Sequence, residues 1–142
     1  MSASQLFEFS SNHPVLILTF FVVFGLLILL EFRHRMSGMK SVGPIEATQL
    51  NNHNNAIFLD IRDDNDFKTG HIPDALNIPL KQLNSRAGEL EKYTGQPIIA
   101  YCRSGNTSLT VGSILKKHGM EQIYNLSGGI VGWKSANMPL TK

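Results

Sequence analysis

The chain changes character along its length. After a polar start over residues 1–13, the segment "PVLILTFFVVFGLLILLEF", Pro14 to Phe32, is apolar at nearly every position. A helix rising ~1.5 Å per residue carries those 19 residues about 28 Å, close to the hydrocarbon thickness of a bilayer. The pattern predicts a transmembrane helix over residues 14–32. A secretory signal peptide starts with basic residues and ends in an A-x-A-like site, whereas no Lys or Arg precedes this run and "RHRMSGMKS" follows it. Gly25 is its only glycine, so the run has no GxxxG face for pairing helices.

Beyond a polar linker over 33–43 the pattern becomes one of short apolar runs between helical stretches. A helix is predicted from about Pro44 to Asn52, with "NNHNN", Asn51 to Asn55, read as a loop. The strand "AIFLD", Ala56 to Asp60, follows, then a helical turn at Asp64 to Thr69 and extended "ALNIP" from Ala75. A helical stretch spans about Leu80 to Tyr93, the strand "PIIAYC" runs into a loop, and a helix covers about Thr107 to His118. "QIYNL" and a final turn or helix close the chain. Strands without polar alternation, separated by helices, indicate a parallel sheet covered on both faces. The soluble part, 44–142, is therefore one α/β domain of about 100 residues.

Composition narrows the partners. With 42% hydrophobic and 17% charged residues the chain is an ordinary folded one, and a net charge of +2 is too mild to imply nucleic acid. The charge is unevenly placed: Arg33, Arg35 and Lys40 follow the apolar run. By the positive-inside rule the N-terminus lies outside and the domain is cytoplasmic, which makes the protein a single-pass protein of the cell inner membrane.

The one cysteine, Cys102, rules out an internal disulfide. It is either a packed small hydrophobe or a reactive thiol kept reduced. It ends an apolar strand and precedes "RSGNTS", and sites of open α/β sheets form beyond the carboxyl ends of strands. That loop can turn successive N–H groups inward, and the helix starting near Thr107 adds its positive end, so the thiolate is favoured. Arg103 adds a charge or grips an anionic substrate.

Three segments together carry a resemblance. "FLDIRDDNDFKTGHIPDALNIPL", Phe58 to Leu80, "AYCRSGNTS", Ala100 to Ser108, and "YNLSGGIVGW", Tyr124 to Trp133, resemble in order the signatures of the rhodanese family. The match covers about Val42 to Leu140. It implies a doubly wound fold around a five-stranded parallel sheet, and sulfurtransferase chemistry with Cys102 as the catalytic residue. Cys102 would take a sulfane sulfur from a donor such as thiosulfate and pass it to a thiol or cyanide, with no cofactor and no metal. Arg103, Ser104, Gly105, Asn106, Thr107 and Ser108 would form the substrate-binding loop.

Asp60 and Arg62 end a buried strand and are expected to support that loop from behind. His71 is expected to be structural, Trp133 to pack near the site, and Gly128 and Gly129 to serve a turn with positive φ. Asp74 replaces a usual glycine and is expected to take a left-handed conformation. A rhodanese-fold phosphatase needs an arginine six positions after its cysteine, and Ser108 stands there. The other alternative is a membrane-tethered binding module without turnover, with a membrane protein as partner.

Overall fold

The computed structural model describes residues 12–36, 39–106 and 108–142, apart from the side chains of 30–36, 108 and 109. Most of the N-terminal segment 1–13, and Thr107, thus lie outside the described residues. The chain divides into two compact units, Met1–Met36 and Ser37–Lys142.

In the first unit the apolar run forms helix α1, Pro14–Met36. Its described side chains are exposed on every face, with Phe20 stacked on Phe24 one turn later at 5.9 Å. Among the described residues no helix is long and apolar enough to cross a membrane. The stretch of α1 with described side chains, Pro14 to Leu29, rises about 24 Å against the ~30 Å of a bilayer core. The helix expected over 14–32 therefore forms, while its span of a bilayer does not follow from the described residues.

In the second unit all strand pairings are parallel. Strand β1 is Lys40–Val42, helix α2 Pro44–Asn54, β2 Ile57–Asp60, α3 Asp64–Thr69, β3 Leu76–Asn77 and α4 Leu80–Arg86. A 3-10 helix over Ala87–Tyr93, β4 Ile98–Tyr101, α5 Ser108–Lys117, β5 Ile123–Leu126 and α6 Gly129–Ser135 complete the domain. The sheet order is β1-β5-β4-β2-β3, the expected five-stranded α/β arrangement.

Both faces of the central strands are apolar because each face meets its own core. Ile98 and Ala100 of β4 join Leu59, Leu83, Leu90, Val111 and Leu115 on one side. Ile99 and Tyr101 join Phe58, Leu126, Ile130 and Trp133 on the other. Burying each large side chain contributes roughly 1.5–3 kcal/mol, so a strand feeding two cores has no room for polar alternation.

Three local expectations are corrected. Lys40–Val42, assigned above to the linker 33–43, is a sheet strand: Ser41 stands opposite Asn125, and the Ser127 N–H donates to the Val42 carbonyl at 2.8 Å. Only Val42 of its three residues is buried, too little to leave a periodic signal. "NNHNN" is the last turn of α2, which runs on until Asn55 takes φ 51° and donates its N–H to the Leu50 carbonyl. The single helical stretch Leu80–Tyr93 is an α-helix continued as a 3-10 helix.

The topology itself locates a crevice. From β2 the chain moves outward to β3, and from β4 it moves the opposite way to β5. The connections leaving β2 and β4 diverge, so a gap opens beyond their carboxyl ends, where Asp60 pairs with Tyr101 in register and Cys102 follows.

Candidate active site

A cleft of about 340 Å³ opens at that gap, lined by Ile61, Arg62, Asp63, Asp66, Leu80, Lys81, Cys102, Arg103 and Ser104. Cys102 is partly buried. The Gly105 N–H donates to its Sγ at 3.1 Å, where the sequence predicts successive inward-turned donors. Gly105 reaches that position at φ 81°, packed so tightly that a Cβ there would stand 2.9 Å from the Leu126 carbonyl oxygen.

The loop backbone is held from below by α6. The Ile130 N–H donates to the Cys102 carbonyl at 2.9 Å and the Val131 N–H to the Arg103 carbonyl at 3.2 Å. This contact requires glycine: a Cβ on Gly129, at φ 56°, would lie 2.7 Å from the Arg103 carbonyl oxygen and closer still to that of Cys102. Gly128, at φ 73°, makes the preceding turn. Both glycines have the positive φ expected of them.

The far wall is a buried ion pair. The Arg62 Nε donates to both carboxylate oxygens of Asp60 at 3.0 and 3.1 Å, and its Nη2 to one of them at 2.6 Å. The same Nη2 also donates to the Gly70 carbonyl at 2.9 Å, tying the pair to the end of α3. Burial disfavours the guanidinium charge but is outweighed by the hydrogen bonds and charge of Asp60, so the Arg62 pKa is raised. Tyr101 packs beside the pair, its ring 5.9 Å from the guanidinium carbon. Its hydroxyl accepts the Ile72 N–H at 3.2 Å. Burial, reinforced by the Asp60 charge, pushes that hydroxyl well above its ordinary pKa, and it stays neutral.

Of the residues singled out in the sequence, the fold brings Cys102, Arg103, Ser104 and Arg62 into one cleft, with Gly105 beneath and Asp60 behind Arg62. The Arg62 side chain bonds Asp60 and Gly70, and Asn77 Nδ2 donates to the carbonyls of both Asp60 and Arg62 at 3.1 and 3.0 Å, so the pair braces the α3 wall and β3. Asn106 is exposed, and Ser108 begins α5. Arg103 is three-quarters exposed and reaches Asp66 across the cleft at 3.8 Å. His71 stacks on Phe67 at 3.7 Å and bridges to Thr141 through its backbone. Trp133 packs edge-on against Phe58 at 5.3 Å, and Asp74 has φ 61°.

Four polar contributors were not singled out beforehand. Asp63, Asp66 and Lys81 line the cleft from the start of α3, from α3 and from α4. Asn125 donates its Nδ2 to the Gly105 carbonyl at 3.1 Å, and here a signal existed: it is the one polar residue among the inward-facing positions of "IYNL".

A thiol at the end of a central strand, an N–H aimed at its sulfur and cations around a small cleft suit covalent transfer involving an anion. Residues 44–136 match the rhodanese-like domain, and the chain belongs to that family. The uncharacterized protein YibN of Escherichia coli (strain K12) is 30% identical over 139 residues, 97% of either chain. The uncharacterized protein YqhL of Bacillus subtilis (strain 168) is 34% identical over 123 residues, 87% of this chain and 93% of its own. Thiosulfate sulfurtransferase GlpE of Pseudoalteromonas translucida (strain TAC 125) is 32% identical over 97 residues, 68% of this chain and 90% of its own. Among solved structures, a rhodanese-related protein from Thermoplasma volcanium superposes with TM-score 0.63 over 72% of this chain and 97% of its own. At 24% identity that likeness is one of fold.

Proposed function

We propose that the protein is a membrane-anchored sulfurtransferase that carries a sulfane sulfur as a persulfide on Cys102. The observation that carries this reading is the Gly105 N–H held 3.1 Å from the Cys102 Sγ inside a cleft lined by Arg62, Lys81 and Arg103. With thiosulfate as donor, the Cys102 thiolate attacks the sulfane sulfur. A new S–S bond forms, the bond to the sulfonate sulfur breaks, and sulfite leaves with the electron pair. A thiolate or cyanide then takes the outer sulfur and returns the Cys102 thiolate, so no outside oxidant or reductant enters. The N–H that faces the sulfur favours its anionic form at each stage.

The apolar run Pro14–Phe32, with Arg33, Arg35 and Lys40 after it, supports an inner-membrane anchor with the N-terminus outside and the domain in the cytoplasm. There a persulfide meets abundant small thiols and sulfur-using proteins as acceptors. Intact mass of the purified chain after thiosulfate treatment tests the chemistry: one added sulfur is expected, removable by cyanide. An unchanged mass would leave a binding module in its place. Retention in membranes washed with alkaline carbonate tests the anchor, and release by that wash would overturn it.

A further inference from the structure

We infer that Asn125 is a positioning residue for the Cys102 loop, and that through it the edge strand β1 serves the reaction centre. The inference rests on the reading of Cys102 as the reacting thiol. Asn125 is 8% exposed and, with Asp60 and Arg62, makes up the buried polar residues described in the domain. A buried carboxamide is costly unless its hydrogen bonds are made, and its two N–H donors have two acceptors. One is the Gly105 carbonyl at 3.1 Å and the other the Ser41 Oγ at 3.3 Å. A carbonyl only accepts, so the amide nitrogen must face Gly105, and this fixes the orientation of the group.

Gly105 is the residue whose own N–H reaches the Cys102 sulfur. Its N–H and its carbonyl belong to the two peptides on either side of the most permissive residue in backbone rotation, so a bond to the carbonyl pins the following peptide and limits how far the glycine that aims the N–H can turn. Ser41 is set by the sheet, since it pairs in register with Asn125, and Val42 accepts the Ser127 N–H at 2.8 Å. A continuous chain of contacts therefore runs from β1 through Asn125 and Gly105 to the reacting sulfur.

The test uses the full chain in mild detergent, with Asn125→Ala, Asn125→Asp and Ser41→Ala. Two readouts are taken: the pH profile of Cys102 alkylation by iodoacetamide, and kcat and KM for thiosulfate:cyanide transfer. Arg62, Asp63, Asp66, Lys81 and Arg103, the charged groups lining the cleft, are untouched by these changes, so a shifted profile reports the loop. Asn125→Ala should lower kcat about tenfold, with KM within about twofold, as expected for one lost orienting hydrogen bond. The alkylation midpoint should rise by about half a pH unit as the donor to sulfur is lost. Asn125→Asp keeps the shape but sets an acceptor against the Gly105 carbonyl, and should be at least as impaired. Ser41→Ala should move both readouts the same way by less.

Coincident alkylation profiles for wild type and Asn125→Ala, or a fully active Asn125→Asp, would overturn the inference. Should both Asn125 variants fail to fold, Ser41→Ala on the exposed edge decides alone, and a wild-type profile there overturns it. Absence of sulfur uptake by the wild type would instead overturn the sulfurtransferase reading, while alkylation, which needs only the thiol, still judges Asn125.

Discussion

The cleft beside Cys102 contains two arginine–aspartate pairs built in opposite ways. Arg62 and Asp60 are buried, bonded through several contacts of 2.6 to 3.1 Å, and tied to Gly70. Arg103 and Asp66 face solvent and approach only to 3.8 Å. A buried pair is stable only while both partners stay, because either charge alone in a dry site is severely disfavoured. An exposed pair at that distance is worth little and exchanges readily for a ligand. One arginine therefore fixes the wall of the cleft, and the other remains available to an incoming anion.

The largest effect should come from separating reactivity from architecture. Cys102→Ser is expected to reduce sulfur transfer to background while the unfolding midpoint in urea stays at the wild-type value, since the hydroxyl is nearly isosteric but cannot carry a persulfide. Turnover retained in that variant would remove Cys102 from the mechanism. Next in size, Asp60→Ala strands the Arg62 charge and should destabilise the domain by about 3–5 kcal/mol, seen as a lower urea midpoint. A midpoint within error of wild type would show that the buried pair does not hold the wall.

Arg103→Ala probes the exposed pair. It should raise KM for thiosulfate about fivefold, or ~1 kcal/mol, with kcat and stability near wild type. A fall in stability instead of a rise in KM would make the two pairs alike. The smallest effect is alkaline. Burial, with the Asp60 charge behind it, raises the Tyr101 pKa above its ordinary value of about 10. The folded state therefore holds that proton more tightly than the unfolded chain. Its linkage is silent below about pH 10 and removes stability as the pH climbs beyond it. Urea midpoints at about pH 8 and about pH 11 should differ more for wild type than for Tyr101→Phe.

Much of the site was legible because its residues cluster in sequence. Cys102 to Asn106 form one loop after β4, and Asp60 ends β2 with Arg62 two residues on, so strand-then-loop logic placed both groups at carboxyl ends. The partner of Arg62 at Gly70 and the reach of Arg103 to Asp66 were not legible, since each joins segments whose approach depends on how α3 packs. Asn125 shows the middle case. A lone polar residue inside an apolar strand marks a buried hydrogen bond, but its partners, Gly105 and Ser41, lie 20 and 84 residues away in the chain.

By itself the sequence determined the α/β class, the apolar N-terminal run and the thiol at a strand end, because hydrophobic periodicity and loop composition act over a few neighbouring residues. Only the tertiary structure decided that Lys40–Val42 is a strand, since a three-residue edge strand exists through its pairing with β5. It alone decided that α6 lies against the Cys102 loop, where Gly129 leaves no space for a side chain. Such contacts depend on the close packing of segments far apart in the chain, and no local pattern encodes that distance.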